Sequence, residues 1–131
     1  MTLFMLDTDT VSYALRGIGD VAANVASRSR SVLCLSAITV AELRYGADNR
    51  QSRKIHQAID AFLTGVEVLP FDAAAATTFG KVATALSAAG TPIGQLDTLI
   101  ASHALSVRAV LVSNNQKHHS RVPGLKLANW T

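Results

Sequence analysis

The sequence predicts an α/β protein, a central parallel sheet of about four to five strands with helices on both faces. Two observations carry that prediction. Short apolar runs recur along the chain, unbroken at Leu3–Leu6, Val32–Leu35 and Ala109–Val112 and interrupted only by Glu67 at Val66–Leu69; runs of this kind are strands buried on both sides. Between them lie longer segments whose apolar residues return at helical spacing, and such alternation builds right-handed βαβ crossovers and hence a parallel sheet. With 131 residues, 49% hydrophobic and 16% charged, the chain holds enough apolar surface for one core. The expected organisation is a single domain over residues 1–131.

Taken in order, the first strand ends abruptly on two carboxylates, Asp7 and Asp9. In open α/β sheets ligands bind beyond the carboxyl ends of the strands, near the point where strand order reverses, so Asp7 is placed for chemistry. Asp9 or Thr10 alternatively caps the helix that begins in VSYAL and stops near Gly17. Val21, Ala22, Val25 and Ala26 mark a second helical stripe. After the second strand, Ser36 is positioned to cap a helix in which Ile38, Ala41, Leu43 and Tyr45 surround one acid, Glu42, before Gly46. Arg50, Arg53 and Lys54 open a further amphipathic helix that Gly65 stops, with a basic first turn facing solvent or a ligand.

Pro70 closes the third strand, and Asp72 caps a long alanine-rich helix with Phe79, Val82 and Leu86 on one face, ended by Gly90. The loop from Gly90 to Gly94 leads to QLDTLIASHAL, where Leu96, Leu99, Ile100 and Ala104 form an apolar stripe and Asp97 sits in the first turn. The fourth strand delivers Ser113, Asn114 and Asn115 at its carboxyl end, and a short fifth strand around Leu125 to Leu127 completes the sheet.

Bulk properties narrow the function. Cys34 is the only cysteine, which excludes an internal disulfide and suits a buried, inert thiol in a reducing compartment. Leu3–Leu6 is too short for the apolar region of an export signal, and no run approaches a membrane span, so the expectation is a cytoplasmic protein with no membrane partner. The net charge is +3. If part of the acid is gathered in one cleft, the remaining surface is more basic than this total, which favours a polyanionic partner.

Three acids stand apart from the solvated kind: Asp7 after a buried strand, Glu42 inside an apolar helix, and Asp97 at the start of another. All three can converge at one edge of a parallel sheet. Taken singly, each also reads as a cap, a surface charge or half of an ion pair. Converging carboxylates repel, and one takes up a proton unless a cation neutralises them. Mg²⁺ or Mn²⁺ suits oxygen ligands and retains waters that can attack a phosphodiester, so metal-assisted phosphodiester hydrolysis is the chemistry such a cluster performs.

The segments FMLDTDTVSYAL, LSAITVAELRYGA, GTPIGQLDTLIASHAL and VLVSNNQKHHSRVPGLKLANW resemble, in order and spacing, the PIN-domain ribonuclease toxins of the VapC type, over almost the whole chain. The resemblance implies a PIN-like three-layer α/β/α fold. It also implies Asp7, Glu42 and Asp97 as catalytic residues holding one or two Mg²⁺ or Mn²⁺ ions, directly or through water, that activate water against RNA. Its further implications are a VapB-type antitoxin that inserts a peptide into the cleft, a homodimer, and structured RNA such as tRNA as substrate. One departure concerns the end of the fourth strand, where many PIN domains carry a further acid and this chain has Asn114 and Asn115. These bring carbonyl oxygens without charge, in a form that resembles one subgroup of these toxins and points to a single metal. Asp9, Ser113, Asn114 and Asn115 are secondary candidates, Ser113 for holding Asp7 or a phosphate or simply for capping the strand end.

Other residues read as structural. His118 and His119 are adjacent, point different ways and make a poor metal pair, which suits a solvated loop that at most touches RNA phosphate. His103 reads as a satisfied core histidine. Arg44 is either an exposed helix charge or a contact for RNA or antitoxin, and Trp130 packs down the fifth strand or stacks on a base. Two competing functions remain open. One is a catalytically silent RNA-binding PIN domain; the other is a phosphatase of the haloacid dehalogenase type, suggested by the Asp-x-Asp of FMLDTDTV but lacking the late acid pair of that signature.

Overall fold

A computed structural model describes residues 1–131. Its elements follow in the order β1 (Phe4–Leu6), α1 (Thr8–Arg16), α2 (Val21–Ala26), β2 (Leu33–Ser36), α3 (Ala37–Asn49), α4 (Arg53–Leu63), β3 (Glu67–Leu69), α5 (Ala73–Ala88), α6 (Gln95–Ser106), β4 (Val110–Val112), α7 (Gln116–His119) and β5 (Leu127–Ala128). The five strands form one sheet in the order β3-β2-β1-β4-β5, with every neighbouring pair parallel. The chain builds outward from β1 to β2 and β3, then returns to the other side of β1 with β4. The reversal of strand order therefore lies between β1 and β4, and the Asp7 amide donates to the Val112 carbonyl across it at 3.1 Å.

Successive strand residues face opposite sides of a sheet, and the core divides accordingly. Met5, Cys34 and Leu111 join Val82, Leu86, Ile100, Ala101 and Ala104 under α5 and α6. Leu6, Leu33, Leu35 and Val112 join Val11, Val21, Val66 and Trp130 on the opposite side, which completes the α/β/α arrangement expected. Cys34 is buried, and desolvation pushes its thiol up to about 12, so it is unreactive at neutral pH. Trp130 packs against Phe4 with ring centroids 5.1 Å apart, and the Arg28 guanidinium lies 4.2 Å over its indole. That is the packing role, against the central strand.

Several boundaries differ from the sequence expectation. Asp7, and neither Asp9 nor Thr10, caps α1: its Oδ1 accepts from the Thr10 amide at 2.9 Å. Gly46 does not end α3, which runs on to Asn49; one interior glycine costs about 1 kcal/mol, and the added turn buries Ala47. Arg50 consequently terminates α3 instead of opening α4, and Ser52 caps α4. Leu96 does not join the buried stripe of α6: it is 47% exposed, while Thr98, Ile100, Ala101, Ser102, His103 and Ala104 are buried. The caps expected at Ser36 and Asp72 are present, accepting from the amides of Ile38 and Ala75 at 3.1 and 3.0 Å.

Candidate active site

The site is built where β1 and β2 end and α6 begins. Asp7 leaves the sheet at the strand reversal and is 4% exposed. Capping uses its Oδ1, and Oδ2 is free of hydrogen bonds. Thr10 fixes the turn, its hydroxyl donating to the Val112 carbonyl at 3.0 Å, so α1 and β4 are tied at the residue that carries the acid.

Glu42 projects from α3 toward α1. Thr8 donates through Oγ1 to Glu42 Oε1 at 2.6 Å and lies 3.5 Å from Thr39 Oγ1. Burial raises the Glu42 carboxyl above its ordinary value; Asp97, Asp9 and Asp7 push it further up and the Thr8 hydroxyl opposes them. Asp9, one turn into α1, is raised by burial and then by the Asp7 charge, with Arg16 and His119 pulling the other way. Asp97 occupies the first turn of α6, three residues after the N-cap Gly94, where the helix dipole favours a carboxylate. The other three acids therefore all bear on the charge of Glu42, although the four come from two helix termini and one helix interior.

Ser113, Asn114 and Asn115 follow β4. Ser113 is fully buried and its Oγ accepts from the Asn115 amide at 2.9 Å, the strand-end cap among its expected roles. Asn115 caps α7, and its side-chain amide contacts His118 Nδ1 at 2.9 Å. Asn114 is exposed: its amide donates to the Tyr13 hydroxyl at 3.3 Å, and its carbonyl accepts from Asn129 and from Thr131.

Three features were not read from the sequence. Thr8, between the two acids, orients Glu42; its place in the first turn of α1 was the available signal. His119, expected in a solvated loop, is completely buried, with Nε2 at 3.8 Å from Asp7 Oδ2. The spacing of His119, Val122 and Leu125, which turns one face of the segment inward, was the signal there. Burial lowers its pKa, against the pull of Asp97 and Asp7. The third feature is a groove of about 530 Å³ between α1, α3 and α4 that opens from Thr8, Asp9 and Glu42. Its apolar wall includes Leu15, Leu43 and Ile55, and Arg16, Arg50 and Lys54 give it positive charge. Neither Arg50 nor Lys54 pairs with an acid. Arg44 is instead committed to α4, where it pairs with Asp60 and contacts His56 Nδ1 at 3.0 Å.

An all-oxygen set of mutually repelling carboxylates suits a hard divalent ion. No three of the His, Cys, Asp and Glu side chains stand close enough to enclose an ion by themselves. The protein would supply one or two carboxylate oxygens and leave the remaining positions to water and substrate, the usual manner of holding Mg²⁺. On that basis the residues fit the ion.

Comparison with known proteins agrees with this architecture. Residues 4–125 match the model of the PIN domain. The chain is 34% identical over 131 residues, 99% of each chain, to the tRNA(fMet)-specific endonuclease VapC of Salmonella typhimurium. It is 36% identical, over 98% of each chain, to the ribonuclease VapC2 of Rickettsia felis. Among solved structures it resembles DNA-bound VapBC from Salmonella typhimurium, with TM-score 0.89, 33% identity and full coverage of both chains. It also resembles VapBC2 from Rickettsia felis bound to a DNA fragment from their promoter, with TM-score 0.86, 34% identity and coverage of 99% and 100%.

Proposed function

The chain belongs to the PIN domain family, and from that premise we propose that it is a divalent-metal-dependent endoribonuclease, the toxin of a VapBC-type toxin–antitoxin pair. The observation that supports the catalytic reading is that Asp7 and Asp97 both bear on the charge of Glu42, with Asp7 at the strand reversal. Similarity to a tRNA(fMet)-specific endonuclease supports structured RNA, tRNA in particular, as substrate. Likeness to VapBC complexes supports a VapB-type antitoxin as partner. No helix is long and apolar enough to cross a membrane, and the reading is completed by a cytoplasmic homodimer made of one domain per chain.

In this reading Asp7 and Asp97 are the principal Mg²⁺ or Mn²⁺ ligands, and Glu42 is a ligand or holds the attacking water. The bound ion supplies Lewis acidity at the phosphate and lowers the pKa of a coordinated water. Asp7 offers Oδ2 because the α1 amide already engages Oδ1. Glu42 is aimed by Thr8, which leaves Oε2 to accept a proton from water. Arg16, Arg50 and Lys54 hold the RNA backbone along the groove and counter its charge as it approaches the acids. Asp9 and Asn115 border the reacting phosphate, Ser113 caps the strand end beneath them, and Asn114 braces the rim.

The test is cleavage of end-labelled tRNA by the purified chain freed of antitoxin. Cutting is expected with Mg²⁺ or Mn²⁺, is expected to stop with EDTA or on adding the antitoxin, and is expected to be lost in Asp97→Asn. RNA that is bound but left intact with Mn²⁺ present would establish the silent RNA-binding alternative.

A further inference from the structure

We infer that His119 is a nitrogen donor to the ion held by Asp7, so that the site prefers ions that accept imidazole, Mn²⁺ and Co²⁺, over Mg²⁺. This rests on the reading of the carboxylate cluster as a metal site and adds to it a residue of a different chemical class.

Among the buried side chains, His119 alone has polar atoms with no hydrogen-bond partner, and this holds for both Nδ1 and Nε2. Buried polar atoms are ordinarily paired, and one left alone is destabilising, so a ring with two free nitrogens calls for a ligand. The ring is 0% exposed, so bulk solvent does not reach it. Its Nε2 faces Asp7 Oδ2, the carboxylate oxygen that capping leaves free, at 3.8 Å. That separation is too long for a hydrogen bond, yet it lies within the span of one ion bonded to both atoms, since metal–nitrogen and metal–oxygen bonds of about 2.1 Å together reach further.

The other three histidines are engaged elsewhere. His118 Nδ1 meets Asn115, His103 Nδ1 meets Ser36 at 2.7 Å, and His56 bridges Arg44 and Asp48. His118 keeps a free Nε2, so an imidazole signal that persists in His118→Phe identifies His119. Imidazole is a poorer partner for Mg²⁺, which keeps to oxygen, than for later divalent ions of the first transition row.

Pulsed electron paramagnetic resonance on the unsubstituted chain loaded with Mn²⁺ tests this without any variant. Coupling to a directly bound ¹⁴N is expected, and its absence overturns the inference. His119→Phe and His119→Gln should abolish that coupling. Calorimetric titration should show Co²⁺ affinity falling on the order of tenfold or more, with Mg²⁺ affinity unchanged. Equal losses for Co²⁺ and Mg²⁺ would make His119 a support for Asp7 and overturn its role as ligand, as would equal retention. Asp7→Asn separates the two readings: if it binds Mg²⁺ like the parent, the carboxylate site itself has failed. If it loses Mg²⁺ while the parent shows no nitrogen coupling, only the His119 assignment falls.

Discussion

Substitution of Asp7 should divide two jobs that the structure assigns to its two oxygens. Oδ1 caps α1 by accepting from the Thr10 amide at 2.9 Å, and Oδ2 makes no hydrogen bond and lies 3.8 Å from His119 Nε2. Asparagine keeps an acceptor for the cap and removes the charge, whereas alanine removes both. Losing a cap of this kind costs about 1 kcal/mol, which for a domain of this length lowers the melting temperature by roughly 3 to 5 °C. Removing the charge also relieves the repulsion that Asp7 exerts on Glu42 and Asp9. Without divalent ions, scanning calorimetry should therefore rank Asp7→Asn at or above the parent, with Asp7→Ala roughly 3 to 5 °C below Asp7→Asn. Addition of Mg²⁺ to a hundred times its Kd should stabilise the parent by about 2.7 kcal/mol and leave both variants where they were, and neither variant should cleave RNA. An Asp7→Asn protein that cut RNA at the parental rate would refute the catalytic assignment. One that melted as low as Asp7→Ala would refute the division of labour.

Glu42→Gln should raise the melting temperature of the ion-free protein, because burial and three neighbouring acids disfavour the Glu42 carboxylate, while Mg²⁺ binding weakens by calorimetric titration; a lower ion-free melting temperature would contradict the repulsion. Arg50→Ala and Lys54→Ala should raise KM for RNA with kcat little changed. Each should also flatten the salt dependence of binding by roughly 0.7 for every phosphate no longer neutralised, measured by filter binding across a salt series. Burial lowers the pKa of both His103 and His119 from 6.5, so below about pH 6.5 the unfolded chain takes up protons that the folded chain refuses. Stability is therefore complete above that pH and falls as the pH drops through 6.5 toward the lowered folded values, by up to about 1.4 kcal/mol per pH unit for each histidine. Urea midpoints between pH 7.5 and 5.5 should show the loss, and His103→Gln should reduce it.

The strands were legible because β1, β2 and β4 must be apolar on both faces, and an unbroken apolar run of that length suits little else. The capping residues Ser36 and Asp72 were legible because capping is local. What escaped the sequence depends on contacts across the chain. Helix α6 is buried around much of its circumference between α5, α3 and the sheet. Its polar residues enter the core by bonding their own helix, Ser102 Oγ donating to the Thr98 carbonyl at 2.6 Å and Thr98 Oγ1 to that of Gly94 at 2.9 Å. A stripe drawn from apolar residues alone therefore took in Leu96, which lies outside, and passed over Thr98 and Ser102. In the site, the three acids were visible as charges out of character with their surroundings. The partners Thr8 and His119 were not, because a hydroxyl is unremarkable near a helix start and a histidine beside a second histidine reads as polar surface. Arg50 was assigned to the wrong helix, yet its charge still lines the groove, because the end of α3 and the first turn of α4 are neighbours there.

The arrangement also explains how the fold holds its acids in place before anything binds them. Each is anchored by a helix start and keeps a free edge. Asp7 is anchored by the Thr10 amide in the first turn of α1 and Asp97 by the dipole of α6, while Glu42 is anchored by Thr8, itself the first residue of α1. Helix N-termini favour negative charge without consuming both carboxylate oxygens, so repulsion among the acids is offset by positive ends of helices that the topology already brings to the strand reversal. A lysine or arginine at the centre would neutralise the cluster more fully, but it would close the site to a divalent ion and to water. The cations are instead displaced along the groove, at Arg16, Arg50 and Lys54, where they can meet a polyanion without neutralising the residues that must act on it. The same partition accounts for a chain whose net charge is positive while its most enclosed charged cluster is negative.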